Sequence, residues 1–151
     1  ERSGRDAPHP GRPVREALAA SQLRVLVAED NATNRLVILQ MLTRLGCVAT
    51  AVENGRDVLA TLARDHWDLV LMDIHMPVMD GQEALAVLRE RERASGAHLP
   101  VIALTAYALK GDEERFLAAG FDGYVSKPLE VKMLVAEMTH VLDLKPVMDP
   151  S

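Results

Sequence analysis

Five short apolar runs recur along the chain, each about the length of a β-strand. They are rich in Val, Leu and Ile on consecutive positions and do not alternate with polar residues. Continuous apolar runs are typical of strands that are covered on both faces, as in parallel sheets. The pattern therefore predicts five strands: Leu23 to Ala28, Cys47 to Val52, Leu69 to Met72, Val101 to Leu104 and Gly123 to Val125.

Between these runs the apolar residues are spaced at about one helical turn, which predicts five helices. Gly46 suits the end of the first, and Asp80 with Glu83 forms a capping-box pattern at the start of the third. The fourth, Leu109 to Ala119, carries few large apolar residues and should be the least firmly packed. The apolar positions of the first helix are Leu36, Leu39, Leu42 and Leu45. Those of the second are Val58, Leu59 and Leu62, behind an Asn54 cap and a start near Gly55. The third has Ala84, Leu85 and Leu88, and the fifth has Leu134, Met138 and Val141.

Strands that alternate with helices through short connections indicate an open parallel α/β sheet with helices on both faces. A chain of 151 residues, 48% of them hydrophobic, is enough for one such domain. We place it at residues 22–143, after a linker or disordered tail at 1–21 that is rich in Arg, Pro and Gly. Residues 144–151 are expected to be a C-terminal tail. The chain starts with Glu1 instead of Met, which suggests a piece of a longer polypeptide.

Charge and cysteine content exclude several classes of protein. The net charge of -5 argues against nucleic-acid binding by this domain, because such proteins usually carry a clustered basic surface. Its single cysteine cannot form an internal disulfide, and no apolar stretch reaches the length of a membrane span or a signal peptide. We therefore expect a cytoplasmic domain without membrane contact, either free or as the cytoplasmic part of a membrane-anchored protein.

Polar residues with related chemistry follow the predicted strands. Glu29 and Asp30 follow the first, Asp73 the third, Thr105 the fourth and Lys127 the fifth. Ligands of open α/β sheets bind at the carboxyl ends of the strands, where these groups would meet. Clustered carboxylates favour a hard divalent cation, and a cation beside a lysine places positive charge where a phosphoryl group is negative. In a sheet ordered 2-1-3-4-5, Asp73 would lie between the acidic pair and the lysine, which makes it the candidate nucleophile.

Four segments carry a resemblance to the response-regulator receiver family, which covers about residues 23–142. The resemblance implies a flavodoxin-like sheet in the order 2-1-3-4-5, and it implies signalling through a phosphorelay. The segments are Val25-Leu-Val-Ala-Glu-Asp-Asn31 with Asn34, Asp68-Leu-Val-Leu-Met-Asp-Ile-His-Met-Pro-Val-Met-Asp-Gly81, Ala103-Leu-Thr-Ala106 and Gly123-Tyr-Val-Ser-Lys-Pro128.

The same resemblance implies a role for each site residue. Asp73 would be the phosphoacceptor, and Mg²⁺ (or Mn²⁺) would be bound by Asp30, Asp73 and the backbone carbonyl of His75, with Glu29 completing the acidic pocket. Thr105 would hydrogen-bond the phosphoryl oxygen and Lys127 would pair with it. The family also implies that Tyr124 is an aromatic switch and that the bond from Lys127 to Pro128 is often cis.

Partners and competing functions follow from these roles. The phosphodonor would be a histidine kinase or a histidine phosphotransfer domain, and the chain itself a monomer or weak dimer that loses its phosphate by autodephosphorylation. The Glu-Asp pair and Asn34 resemble receivers of hybrid sensor histidine kinases, so the parent would be such a kinase. Alternatives are a stand-alone response regulator, an aspartyl-phosphate phosphatase, for which His75 replaces the expected second acid, and an interaction module that works without phosphorylation.

Overall fold

A computed structural model describes residues 22–106 and 111–142 of the chain. Within these residues five strands alternate with five helices. The strands are β1 (Arg24–Ala28), β2 (Val48–Val52), β3 (Leu69–Asp73), β4 (Val101–Thr105) and β5 (Gly123–Ser126). The helices are α1 (Ala32–Arg44), α2 (Gly55–Arg64), α3 (Gly81–Ser95), α4 (Asp112–Ala119) and α5 (Val131–Leu142).

All neighbouring strands are parallel, and their order is β2-β1-β3-β4-β5. Side chains alternate between the two faces of the sheet, so each central strand contributes to two separate cores. Val25 and Val27 of β1 pack with α1 and α5 on one face, whereas Leu26 and Ala28 pack with α2, α3 and α4 on the other. The predicted fold, an open sheet with helices on both faces in the order 2-1-3-4-5, is confirmed.

Burial distinguishes the central strands from the edge strand β2. Every residue of β3 and β4 is buried, as the continuous apolar runs predicted. In β2 no residue is fully buried, and Val48 is 56% exposed. The expectation that every strand is covered on both faces is therefore wrong for β2, because its outer edge has no neighbouring strand.

The starts predicted for α2 and α3 are confirmed by side-chain caps, and α1 begins with a cap of the same kind. Asn31 and Asn54 each accept a hydrogen bond from a first-turn amide of α1 and α2, and Asp80 forms the full capping box with Glu83. Gly46 adopts a positive φ of 87° just after α1, the left-handed conformation that suits glycine. These caps fix where α1, α2 and α3 leave the carboxyl edge of the sheet.

The leucine stripe predicted for α1 is only partly correct. Leu42 and Leu45 are buried, but Leu36 is 57% exposed, and Ile38 fills the core in its place. Steps of three residues fall short of a full helical turn of 3.6 residues, so a stripe at this spacing rotates around the helix. Leu39 is partly buried against the core, so only the first leucine of the stripe lies outside it.

Helix α4 begins later than predicted. Leu109, the predicted first residue, lies outside the described residues, and α4 starts at Asp112 after Gly111, which has a φ of 91° and provides no side-chain cap. Phe116 is the large apolar residue that α4 buries. None of the described helices is long and apolar enough to cross a membrane.

Candidate functional site

The carboxyl edge of the sheet brings the predicted polar residues together. Asp73 and Thr105 are the last residues of β3 and β4. Glu29 directly follows β1, and Lys127 directly follows β5. Because β1, β3, β4 and β5 are neighbours in one parallel sheet, their ends lie side by side. The strand order thus forms the site that the sequence predicted.

Three carboxylates form a compact acidic cluster at this edge. One oxygen from each of Glu29, Asp30 and Asp73 lies within 4.8 Å of the others. Glu29 and Asp73 are buried, with 1% and 5% exposure, whereas Asp30 is exposed. Buried like charges repel strongly, so the cluster needs positive charge close by.

Lys127 supplies part of that charge. Its Nζ donates a hydrogen bond to Oδ2 of Asp73 at 2.8 Å and lies 2.8 Å from Oε1 of Glu29. The bond between Lys127 and Pro128 is cis. The Lys127 amide donates to the carbonyl oxygen of Thr105 at 2.8 Å, which continues the pairing of the strands beyond β5. The lysine therefore bridges two carboxylates from different strands.

Backbone amides hold the same two carboxylates from the other side. Oδ1 of Asp73 accepts a hydrogen bond from the His75 amide at 3.0 Å, and Oε2 of Glu29 accepts one from the Asn31 amide at 3.2 Å. Among the described residues, Oε1 of Glu29 has no hydrogen bond of regular geometry, although the Lys127 ammonium is at ion-pair distance. These contacts orient the two carboxylates and leave lone pairs on them that can bind a further cation or hydrogen-bond donor.

Burial and charge shift two pKa values at the site. Burial raises the pKa of Glu29, and the Asp73 charge adds to this, while the contacts with Lys127 and Asn31 only partly oppose it. For Lys127, burial lowers the pKa, but the hydrogen bond to Asp73 and the contact with Glu29 outweigh burial, so the pKa is raised. The lysine is held in its charged form by the carboxylates that it joins.

The donor set fits a hard divalent cation. In the described part of the chain, three carboxylates that can share one ion face a single lysine ammonium, so negative charge is in excess. Oxygen ligands and excess negative charge are what Mg²⁺ selects. The burial of Glu29 and Asp73 adds to the need for a compensating cation, because both share the one Lys127 ammonium.

Thr105 and Tyr124, the predicted switch residues, lie on the two neighbouring strands β4 and β5. Thr105 is buried with 2% exposure. Tyr124 is half-buried, and its ring packs against that of Phe116 in α4, with centroids 5.7 Å apart. Its amide donates to Oε2 of Glu137 in α5 at 2.9 Å. Tyr124 thus contacts both α4 and α5, and its role as a switch stays a prediction.

Two residues that support the site were not identified from the sequence. Nη1 of Arg35 donates to the carbonyl oxygens of Glu29 at 2.9 Å and Asp30 at 3.0 Å. Gly81 lies against the end of β3, where a Cβ would collide with the carbonyl oxygen of Asp73. Gly81 belongs to a segment that carried the resemblance, but nothing in the spacing of Arg35 indicates its two acceptors.

The family model described as the response regulator receiver domain matches residues 25–139. The chain belongs to this family. It is a receiver domain of two-component phosphorelay signalling, and the strand ends described above form the acidic edge of that receiver domain.

A curated relative of this receiver domain is a large kinase. Hybrid signal transduction histidine kinase I of Dictyostelium discoideum is 43% identical over 116 residues, which cover 74% of this chain and 7% of the kinase. The receiver domain thus spans a small fraction of that relative.

Two solved structures show the same fold. One is the receiver domain of the sensor histidine kinase PA1611 from Pseudomonas aeruginosa, with a magnesium ion coordinated in its active-site cleft. It is 36% identical, has a TM-score of 0.71, and the match covers 80% of this chain and 98% of that one. The other is the receiver domain of Ssk1 in a complex with the histidine phosphotransfer protein Ypd1 from Saccharomyces cerevisiae, at 25% identity and a TM-score of 0.76, with 86% and 95% covered.

Proposed function

We propose that Asp73 is the phosphoacceptor of this receiver domain and that it takes a phosphoryl group from a phosphohistidine in a Mg²⁺-dependent reaction. The observation that carries the proposal is the position of the Asp73 carboxylate, at the end of β3 between the acidic pair and the Lys127 ammonium 2.8 Å away. An aspartate there has a nucleophilic oxygen and a neighbouring cation to neutralise the incoming group.

The proposed metal ligands are Asp30, Asp73 and the backbone carbonyl of His75, with Glu29 completing the pocket. The compact arrangement of the three carboxylates supports this assignment, and Mn²⁺ would suit the same oxygen ligands. When bound, the cation supplies charge that offsets the negative phosphoryl oxygens and the repulsion among the carboxylates.

The transfer itself needs little from the protein beyond position and charge. One oxygen of Asp73 attacks phosphorus, the nitrogen–phosphorus bond of the donor histidine breaks, and the imidazole leaves with the bonding electrons and takes up a proton. An acyl phosphate remains on Asp73. Water then attacks phosphorus, which releases inorganic phosphate and regenerates the carboxylate. Lys127 would pair with the phosphoryl oxygens in both steps.

The signal would leave the site through Thr105 and Tyr124. A phosphoryl group at the end of β3 offers the Thr105 hydroxyl at the end of β4 a new acceptor. Tyr124 would follow by changing its packing against Phe116. Support comes from the ring contact at 5.7 Å and from the Tyr124 amide that binds Glu137, because these join α4 and α5 to one residue. The readout would be a shift between two packings of these helices.

The phosphodonor would be a histidine kinase or a phosphotransfer protein, and the parent a hybrid sensor histidine kinase. The Ypd1 complex of a related receiver supports a phosphotransfer partner. The match to a short part of a hybrid kinase supports the parent. Sequencing the gene around this segment tests the parent directly, since a hybrid kinase requires an ATP-binding kinase module in the same reading frame.

The phosphoacceptor is tested by incubating the chain with acetyl phosphate and Mg²⁺ and measuring its intact mass. We expect the wild type to gain one phosphoryl group, the Asp73→Asn variant to gain none, and EDTA to prevent the gain. The matched control is Asp65→Asn, which removes an exposed carboxylate at the end of α2 and should be phosphorylated like the wild type.

Phosphorylation of Asp73→Asn at the wild-type rate would rule out Asp73 as the acceptor. Catalytic turnover of external phosphate esters would instead favour a phosphatase.

A further inference from the structure

Arg35 holds the backbone of two carboxylate residues of the site at once. It lies in the first turn of α1, where its amide donates to the carbonyl oxygen of Asn31 at 2.9 Å. From there Nη1 reaches back to the carbonyl oxygens of Glu29 at 2.9 Å and Asp30 at 3.0 Å. One guanidinium nitrogen therefore joins the connection between β1 and α1 to the helix that follows it.

Two other groups of this connection, both of Glu29, are held by hydrogen bonds. The Glu29 amide donates to the carbonyl oxygen of Val52 at 3.0 Å, and the Glu29 side chain accepts from the Asn31 amide. The carbonyl oxygens of Glu29 and Asp30 accept from Arg35. Without the guanidinium, the partly buried Glu29 carbonyl would need another partner, because such a group is costly to leave unpaired, and the exposed Asp30 carbonyl would lose its link to α1.

The remaining contact of Arg35 is weak. Its Nη2 lies 3.7 Å from Oε2 of Glu53, a side chain that is 66% exposed. An exposed ion pair at this distance contributes little. The Arg35 side chain itself is only 21% exposed, so its charge is largely shielded from water and directed at the two carbonyls.

We propose that Arg35 is a positioning residue for the metal site, which holds the backbone of Glu29 and Asp30 so that their carboxylates face Asp73. The inference rests on the proposed Mg²⁺ site. Residues that orient ligands without touching the metal typically change metal affinity by about 10-fold to 100-fold when they are removed. Arg35 acts through the backbone of the ligands, so we expect the lower end of that range.

The sign of the effect separates positioning from simple electrostatics. If Arg35 acted only as a nearby positive charge, its removal would reduce repulsion and make Mg²⁺ bind more tightly. If it holds the connection between β1 and α1, its removal frees two of the carboxylates and Mg²⁺ binds more weakly. The two roles therefore predict opposite changes in the dissociation constant.

The test is a calorimetric Mg²⁺ titration of the full chain and its Arg35→Gln variant. We expect the dissociation constant of Arg35→Gln to rise about 10-fold. Arg44→Gln is the matched control, because Arg44 is an exposed arginine in the last turn of the same helix, and its dissociation constant should not change. Glu53→Gln removes the weak ion pair and should also bind as the wild type does.

Arg35→Lys separates positioning from general loss of structure. Lysine keeps the charge and can donate to one of the two carbonyls, so its dissociation constant should fall between those of the wild type and Arg35→Gln. Amide spectra of the metal-free variants should show changes concentrated at residues 29–31. If Arg35→Gln does not fold, Arg35→Lys alone must show weakened binding for the inference to stand.

The outcomes also separate this inference from the proposed function. Unchanged or tighter Mg²⁺ binding by Arg35→Gln, beside normal binding by the wild type, would overturn the role of Arg35 alone. A wild-type chain that binds no Mg²⁺ would overturn both.

Discussion

The two edges of the sheet each gather charged side chains, but they differ in how fully the carboxylates are hydrogen-bonded. At the amino edge, Arg89 of α3 donates to the carboxylates of Glu92 at 2.7 Å and Asp122 at 2.8 Å. The same guanidinium donates to the carbonyl oxygens of Gly120 and Leu99. At the carboxyl edge, Lys127 faces more carboxylates than it can neutralise.

The carboxylates of the two edges differ in how completely they are used. Asp122 also accepts from the Val101 amide, and Glu92 accepts from the Leu99 amide. Arg89, Glu92 and Asp122, here called the amino cluster, thus join α3 to the segments that precede β4 and β5. Glu29 at the carboxyl edge shares the Lys127 ammonium with Asp73, and burial raises its pKa. Satisfied charges stabilise a fold, whereas charges left in excess are available to bind a ligand.

Breaking the amino cluster should have the largest effect on stability. Arg89→Met removes a guanidinium that is only 18% exposed and leaves two carboxylates and two carbonyls without it. We expect a loss of about 2–4 kcal/mol in the free energy of unfolding, measured by urea denaturation. Mg²⁺ affinity should stay as in the wild type.

Arg93→Met is the control for that experiment. Arg93 lies one turn further along α3, is 80% exposed, and pairs only loosely with Glu90 at 3.4 Å. Its removal should change the free energy of unfolding by less than about 0.5 kcal/mol. Equal losses for the two arginines would show that the amino cluster does not stabilise the fold.

Removing Lys127 from the carboxyl edge should lower the free energy of unfolding by less than Arg89→Met does, and the size of the loss should depend on Mg²⁺. Lys127→Met leaves Glu29 and Asp73 facing each other, so we expect a loss of about 1–2 kcal/mol in EDTA. Because the lysine and Mg²⁺ would share the same carboxylates, added Mg²⁺ should raise the melting temperature of the variant more than that of the wild type. Lys132→Met, an exposed lysine of α5, should behave as the wild type. An equal response to Mg²⁺ in all three proteins would contradict this.

The smallest expected effect is a pH dependence from Glu29. Its pKa is raised in the folded chain, so the folded state holds this proton more tightly than the unfolded state does. The resulting stability is fully present below the ordinary pKa of 4.5 and is lost as the pH rises from there through the raised value. In EDTA, the free energy of unfolding of Glu29→Gln should therefore fall less over this window. Glu90→Gln, which changes an exposed glutamate of α3, should keep the wild-type slope.

The sequence predicted the carboxyl edge well because strand ends are visible as places where an apolar run stops. Glu29, Asp73, Thr105 and Lys127 could be placed in this way, and strand order then required only the family resemblance. Asn54 and Asp80 were found because caps have fixed spacing to the first turn. Short-range patterns of this kind survive in any fold that contains the same elements.

The amino cluster and Arg35 were not predicted, and the reason is the same for both. Arg89 donates to Gly120, 31 positions away, and Arg35 donates to backbone carbonyls, which every residue possesses. Neither acceptor can be recognised from the sequence, because both are backbone carbonyl groups. The exposure of Leu36 was missed for a different reason, since a spacing of three residues resembles a helical stripe over a short stretch and departs from it over a longer one.

The parallel sheet has a consequence for the order in which the chain acquires its parts during synthesis. Lys127 lies 54 positions after Asp73, and the strand between them, β4, must pair with both β3 and β5 before the ammonium reaches the carboxylate. A nascent chain that has emerged only as far as β4 holds all three acids but not their counter-charge. The ion pair between Lys127 and Asp73 therefore cannot form until the chain has been synthesised through β5, and only α5 of the domain then remains to be made.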